Sequence, residues 1–297
     1  MRLLSTIAAI AIAMMSSTTV QAERLVLGTI GDDPRYAIEQ YTPLATYLQA
    51  RLSAGGIARV EIAVFPTIDA LDQAMTRGAV DLFFDSPLIA ASVARTSGAV
   101  PFLRRWKDGI ATYHSLILVA ADSAAQTLGD LTGKVVGFEE PHSTSGYMLP
   151  AAMIRQTGHP LLELYDDETP PADAVGYVFT QSDLNSAYWL ALGLVDAAAT
   201  DPRGWAWLNE AQPGKFRILA RSVDLPRNAA VHRRDLEPEL VARVTEILLA
   251  MDATTEGRAV LASFGDTTRF DRFPIGTEAT FQPIFQLLDE LESMGVM

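Results

Sequence analysis

Ser143, Thr144 and Ser145 stand in a row between His142 and Gly146. Three neighbouring hydroxyls suit one kind of chemistry, the holding of a tetrahedral oxyanion. At the start of a helix they would add to first-turn N–H groups that have no partner within the helix and lie at the positive end of its dipole. Such a turn holds an anion without any charged side chain, and Gly146 would let the chain approach a ligand closely. The string also reads as an ordinary N-cap with extra serines, because Ser and Thr are common caps. Two further junctions have the same polar form, Asp85-Ser86-Pro87 and Thr200-Asp201-Pro202.

Other chemistries find little support. The run Gly129 to Lys134 looks like a phosphate loop, but only three residues separate its glycines, and Val135 stands where a Ser or Thr should meet magnesium. It reads as a turn into a strand. No nucleophile elbow, zincin motif or calcium loop occurs. His114, His142, His159 and His232 are scattered, so no metal site is expected, and no cofactor. Glu139 and Glu140 are adjacent, must diverge, and read as a solvated loop rather than an acid/base pair. Trp205 and Trp207 read as core plus rim. No enzyme constellation emerges.

Strands alternating with helices must position the three junctions. The apolar pattern predicts strands at 24–29, 60–65, 80–84, 115–120, 134–138, 175–180, 194–199 and 216–220. Helices are expected from Thr42 as N-cap with Pro43 at N1, from Thr67, from Ser86, from about 145 to 158, at 186–192 and from Asp201-Pro202. Two more, at 236–251 and 281–294, would close the chain. That alternation implies α/β architecture with parallel sheets covered on both faces. Ligands in such sheets sit beyond the carboxyl ends of the strands, where helix N-termini converge.

Composition bounds the rest. The 297 residues suggest roughly two domains. There is no cysteine, which excludes disulfides, thiol nucleophiles and Cys-held metals. With 23 Lys and Arg against 36 Asp and Glu, the formal charge is −13, which argues against nucleic acid or an anionic membrane as partner. On bulk charge alone, a cationic ligand would be expected. Residues 1–22 read as a secretory signal peptide: Arg2, an apolar stretch, then Val20-Gln21-Ala22 before the cleavage site. The apolar core, roughly 13 residues, is short of the ~20 that span a bilayer, and no later stretch reaches spanning length. The mature chain would start at Glu23 as an exported protein, periplasmic in a Gram-negative cell.

The order of motifs resembles the phosphate/phosphite/phosphonate family of periplasmic binding proteins, the solute receptors of phosphonate-type ABC importers. The resemblance is carried by Tyr41-Thr42-Pro43-Leu44-Ala45-Thr46-Tyr47-Leu48, Gly78-Ala79-Val80-Asp81-Leu82, Tyr113-His114-Ser115, Leu128-Gly129-Asp130-Leu131-Thr132-Gly133-Lys134, Gly193-Leu194-Val195-Asp196 and, most specifically, Pro141-His142-Ser143-Thr144-Ser145-Gly146-Tyr147 with Pro150. It implies a type II binding-protein fold: two doubly wound lobes joined by a hinge, with ligand captured in the cleft between them. Lobe one would comprise 23–118 plus 222–297, and lobe two 119–221. Ser143, Thr144 and Ser145 would grip a phosphonate-like oxyanion, with Gly146 beside them and Tyr113 facing the same pocket. Ser86 is a further candidate.

Departures from the family pattern fall at Ile68, where a second pocket tyrosine is common, and at Asp183, which aligns with a pocket histidine. Arg203 and Asn228 stand where acidic residues would meet an amine, and Asp85 replaces a glycine. These put an aminoalkylphosphonate in doubt and favour a small or partly protonated oxyanion, or a ligand with a donor group. Asp183 also reads as a solvent-facing N-cap and Arg203 as a surface residue. The implied partner is an ABC permease, or a membrane histidine kinase if the chain is a sensor; the protein is expected to be a monomer and not an enzyme.

Overall fold

Aliphatic runs become strands and amphipathic segments pack over them in the computed structural model, which describes residues 23–165 and 168–296. The signal peptide expected at 1–22 lies outside the described residues. β1 (Glu23–Ile30) leads into α1 (Pro34–Leu52), β2 (Ile57–Phe65), α2 (Ile68–Thr76), β3 (Leu82–Asp85), α3 (Pro87–Ser97) and β4 (Val100–Lys107). The short β5 (Thr112–Tyr113) carries the chain to β6 (Leu116–Ala120), β7 (Val135–Phe138), α4 (Leu149–Arg155), β8 (Leu161–Glu163), β9 (Val175–Phe179), α5 (Asp183–Ala191), β10 (Ala197–Thr200), α6 (Pro202–Ala211) and β11 (Phe216–Arg221). β12 (Leu225–Pro226) brings it back to β13 (Ala229–His232), α7 (Pro238–Ala250), α8 (Thr255–Ser263), β14 (Thr267–Asp271) and α9 (Thr277–Ser293).

Two six-stranded sheets result, ordered β14-β4-β13-β3-β1-β2 and β11-β6-β10-β7-β9-β8, with β5 and β12 paired as a ribbon between them. This is the two-lobed type II fold. Side chains alternate across the first sheet with the period of two that a strand imposes. Leu25, Leu27, Leu82 and Phe84 pack with Leu44, Leu48 and Leu248 on one face. Val26 and Phe83 pack on the other with Leu71 and Leu88. Where the two crossings run side by side, Ser115 N donates to Ser222 Oγ at 2.8 Å, and Ser222 N to Ser115 O at 3.0 Å.

The sheets are mixed rather than parallel. β1 runs parallel to β2 and β3, and β7 to β9 and β10. β13 is antiparallel to both β3 and β4, and β6 to both β10 and β11. These strands enter from a crossing between the sheets, so no helical crossover obliges them to run parallel.

Several element boundaries differ from the sequence expectation. α1 starts at Pro34, because Asp33 is the working cap and accepts from Arg35 N and Tyr36 N at 3.0 and 3.2 Å. Thr42 instead donates to Ile38 O at 2.7 Å, and Pro43 sits inside the helix, which loses one backbone donor there. α5 begins at Asp183, capped by Ser182, whose Oγ accepts from Asn185 N at 3.1 Å. Asp183 is therefore the first helical residue, not the cap. β10 begins at Ala197 rather than 194. The closing segment holds three helices and β14 instead of two helices. α8 buries only Gly257 and Leu261, and β14 only Thr267 and Phe270, too little apolar surface to show as periodicity. β4 went unread for a similar reason: Arg104, Arg105 and Lys107 mask its alternation. The 129–134 run is a turn as expected, with Leu128–Leu131 forming a single 3-10 turn.

The helix expected from 145 opens as a wide π turn over Thr144–Met148. Met148 N donates to Ser143 O at 2.9 Å, five residues back. Gly146 O accepts from Glu139 N at 3.0 Å. Pro150 has no N–H to claim that carbonyl, so the turn can bind it to the preceding strand end. No described helix is long and apolar enough to cross a membrane.

Candidate ligand-binding site

Strand ends and helix starts meet in the gap between the sheets. β3 ends at Asp85, before α3; β7 ends just before Glu139 and the π turn; β9 is followed by α5, and β10 by α6. They surround a cavity of about 220 Å³. Asp85, Ser86, Tyr113, Ser143, Thr144, Ser145, Asp183, Arg203 and Asn228 all line it. Gly146 does not.

The room left by Gly146 is taken by Glu139. A Cβ at 146 would lie 2.4 Å from Glu139 Cβ and 2.8 Å from Ser143 Oγ. The glycine lets the acid, not a ligand, approach. Gly146→Ala should therefore destabilise the ligand-free protein by ~1–3 kcal/mol, as overpacking does. Denaturant unfolding measures this, and an unchanged midpoint would mean that Glu139 yields freely.

Ser143 is likewise committed within the protein. Its Oγ accepts from Gly146 N at 2.9 Å and donates to Glu139 Oε2 at 2.5 Å. It caps the turn, and its proton already has an acceptor. Thr144 differs: it is 2% exposed, and its Oγ1 makes no hydrogen bond of good geometry, with only the Tyr113 phenol close to it. Ser86 Oγ does not cap α3 and has only the Asp85 carboxylate close to it, while Arg227 Nε is buried without a partner. Buried polar atoms are nearly always well paired, so these under-used donors around one cavity mark where a polar ligand would supply partners. Ser145 anchors the turn, because its carbonyl accepts from Ser115 Oγ at 2.6 Å. Burial pushes the Tyr113 phenol up to about 12, so it stays a neutral donor.

Charge is where the sequence reading falls short. The expected anion turn is accompanied not only by Arg203, a candidate from the sequence, but also by two cations that were not expected there, Lys107 and Arg227. Lys107 ends the unread strand β4; burial, with Arg105 and Arg227 nearby, pulls its ammonium down to about 8. The Arg227 guanidinium lies 4.6 Å from the Tyr113 ring centroid. Arg203 is half-exposed rather than purely superficial; it pairs with Asp201 at 3.1 Å and reaches Asp108, at the end of β4, on the opposite side of the gap. Behind the cavity, the buried Arg105 holds Asn228 Oδ1 at 3.4 Å while donating to Thr267 Oγ1 and Phe264 O, both at 2.7 Å. It fixes Asn228 from the protein side.

Glu139 is no solvated loop residue. Burial pushes its carboxyl up to about 7, with Asp183, Glu140 and Asp201 adding repulsion against the Ser143 hydrogen bond. Asp85 is also raised, chiefly by burial. Asp201 caps α6 through Arg203 N and Gly204 N at 2.8 and 3.1 Å. Glu140, His142 and Asp201 complete the wall. A mixed lining of cations, hydroxyls and carboxyls, with Glu139 pushed up to about 7, fits an oxyanion that also offers a donor.

The family described as the phosphonate periplasmic substrate-binding protein of ABC transporters matches residues 31–273. The chain belongs to this family. Its role is ligand binding in the periplasm for an ABC importer. A curated relative, the phosphonates-binding periplasmic protein of Escherichia coli K12, is 24% identical over 285 residues, 93% of this chain and 79% of that protein. Among solved structures, a Xanthomonas citri protein was determined with bound chloride and with bound ATP; the fold agrees with a TM-score of 0.81 in both, at 28% and 27% identity, covering 91% of this chain and 99% and 98% of that one. A Prochlorococcus marinus family member in complex with methylphosphonate shares the fold at a TM-score of 0.63 and 16% identity, over 91% of this chain and 98% of its own. These relatives are transport receptors or ligand-binding proteins.

Proposed function

We propose that the phosphonate or phosphate group of a transported ligand is held in the 220 Å³ cavity between the π turn and the Lys107–Arg227 side. The observation that carries this reading is a cavity that brings the buried Thr144 hydroxyl together with three cationic side chains, of which Arg227 holds a buried Nε without a partner. Thr144, Ser145, Ser86, Tyr113, Asn228, Lys107, Arg203 and Arg227 donate to the oxyanion. Ser143 and Gly146 support the turn. Glu139, Asp85 and Asp183 accept from a protonated ligand oxygen or another donor group, since ionised carboxylates beside a full dianion would repel it. The relatives seen with methylphosphonate and with ATP are consistent with such an anion.

Residues 23–118 with 222–297 act as one lobe and 119–221 as the other, closing about the crossings at Ser115 and Ser222. The receptor works as a monomer, released to the periplasm by removal of residues 1–22, and presents its closed form to the permease. Titration calorimetry with methylphosphonate, phosphate and sulfate tests the reading. Thr144→Val should weaken the binding of whichever oxyanion is taken by ~1.5–3 kcal/mol, the range for a hydrogen bond to a charged group, with little change in ligand-free stability. Absence of heat and of thermal stabilisation with every oxyanion would overturn it.

A further inference from the structure

The anion cavity has a neighbour on the side of the first sheet. Asp85, Glu140 and His142 line both it and a second cavity of about 310 Å³, so the two adjoin along these three side chains. The linings differ in kind. The far wall of the second cavity is apolar, built from Ile30, Pro66, Ile68 and Ile89, and its rim carries the carboxylates Asp32, Asp85 and Glu140. Among the described residues no Lys or Arg lines it. A second anionic group would meet three carboxylates there with His142 as the one side-chain donor, whereas an apolar surface with donors would meet its complement.

We propose that the ligand is an organic phosphate or phosphonate with a body at least the size of an aromatic ring, seated in this second cavity. The proposal rests on the anion cavity being the oxyanion site. Size supports it: about 220 Å³ lies below the roughly 300–1,000 Å³ usual for small-molecule pockets, and the adjoining space brings the site into that range. The wall is built on helix starts. Ile68 is the first residue of α2, fixed by Thr67 Oγ1 accepting from Ala70 N at 3.2 Å, and Ile89 is 2% exposed within α3. Ile68 stands where the family resemblance leads one to expect tyrosine, so the chain presents an aliphatic surface in place of a hydroxyl-bearing ring. Beyond Ile68 and His142 lies a third cavity, walled by Tyr147, Tyr177 and Phe179, into which a longer body extends.

The test is calorimetric titration of the full chain with methylphosphonate, phenylphosphonate and 4-aminobenzylphosphonate. The aryl compounds should bind about tenfold or more tightly than methylphosphonate, because burial of the ring adds to a common anion contact. The amino compound should match or exceed phenylphosphonate, since its donors meet the carboxylate rim. Ile68→Trp and Ile68→Tyr, each with its ligand-free unfolding midpoint measured as a control on folding, should reduce the aryl-to-methyl ratio to about threefold or less. Equal affinities for methyl and aryl compounds would overturn this proposal and leave the anion site standing. A ratio unmoved by both substitutions in folded protein would overturn it as well. Failure of all three compounds to bind would overturn this proposal, and would remove the anion site with it if phosphate and sulfate also give no heat.

Discussion

Arg227→Gln should weaken oxyanion binding roughly 10- to 100-fold, the equivalent of about 1.5–3 kcal/mol for a hydrogen bond from a charged donor. Three features put Arg227 ahead of the other cations. Its Nε is buried without a partner, so a bound anion would meet a donor that is already desolvated. Its guanidinium is held over the Tyr113 ring, which fixes its orientation before any ligand arrives. It also answers an excess of acid: Asp85, Glu139, Glu140, Asp183 and Asp201 line a cavity with only Lys107, Arg203 and Arg227 against them. Losing one cation of three removes an attraction and leaves the carboxylates less neutralised. Arg203→Gln should cost less, because Asp201 and Asp108 already engage that side chain. Ligand-free stability should change little in Arg227→Gln, by about the 0.5–1 kcal/mol of a cation–π contact. Calorimetry of both variants checks the order, and a larger loss at Arg203 than at Arg227 would reverse this assignment of roles.

Glu139→Gln should make the ligand-free protein more stable at pH 8, on the order of 1–3 kcal/mol, and should flatten the pH dependence of binding near neutrality. The sign follows from the carboxyl being pushed up to about 7 in the folded chain, from an ordinary value of 4.5. In the unfolded chain it ionises near 4.5, while in the folded chain it keeps its proton until about 7. Stability is thus fully present below the lower value, falls as pH rises between the two, and is lost in full above pH 7. Glutamine never ionises, and its carbonyl can still accept from Ser143 Oγ. Binding follows the same logic, because an incoming anion repels the ionised carboxylate and so takes up a proton. Affinity should fall with pH above about 7, by at most about tenfold per unit for one linked proton. Lys107, pulled down to about 8, adds a second loss at higher pH that the variant retains. Wild-type and variant profiles that coincide between pH 6 and 8 would show that Glu139 does not sense the ligand.

The elements that deliver the π turn were legible because aliphatic periodicity and Ser/Pro caps mark them directly. The hydroxyl run at 143–145 announced its position, although not that Ser143 and Gly146 would serve Glu139. Charge in the cavity was the hidden part. Lys107 sits on a strand whose alternation is broken by Arg104 and Arg105, and Arg227 follows a two-residue strand that carries no period at all. Their meeting depends on strands distant in sequence, β13 lying between β3 and β4. Glu139 went unread because adjacency to Glu140 suggested solvent, whereas burial beside a turn without a Cβ decides its state. The net charge of −13 described the surface and misdirected the reading of the pocket.

The donors we propose are divided across the gap: Lys107 comes from the first sheet, Tyr113 and Arg227 from the ribbon between the sheets, and the 143–145 turn and Arg203 from the second. Under the closure we propose, the site behaves as a chelate. Each half offers only a few contacts and is a weak ligand trap by itself, and strong retention arises because closure presents the second half at high effective concentration to an anion already held by the first. A permease that spreads the two halves need not displace each contact in turn. It abolishes the chelation, and two weak half-sites let the cargo go.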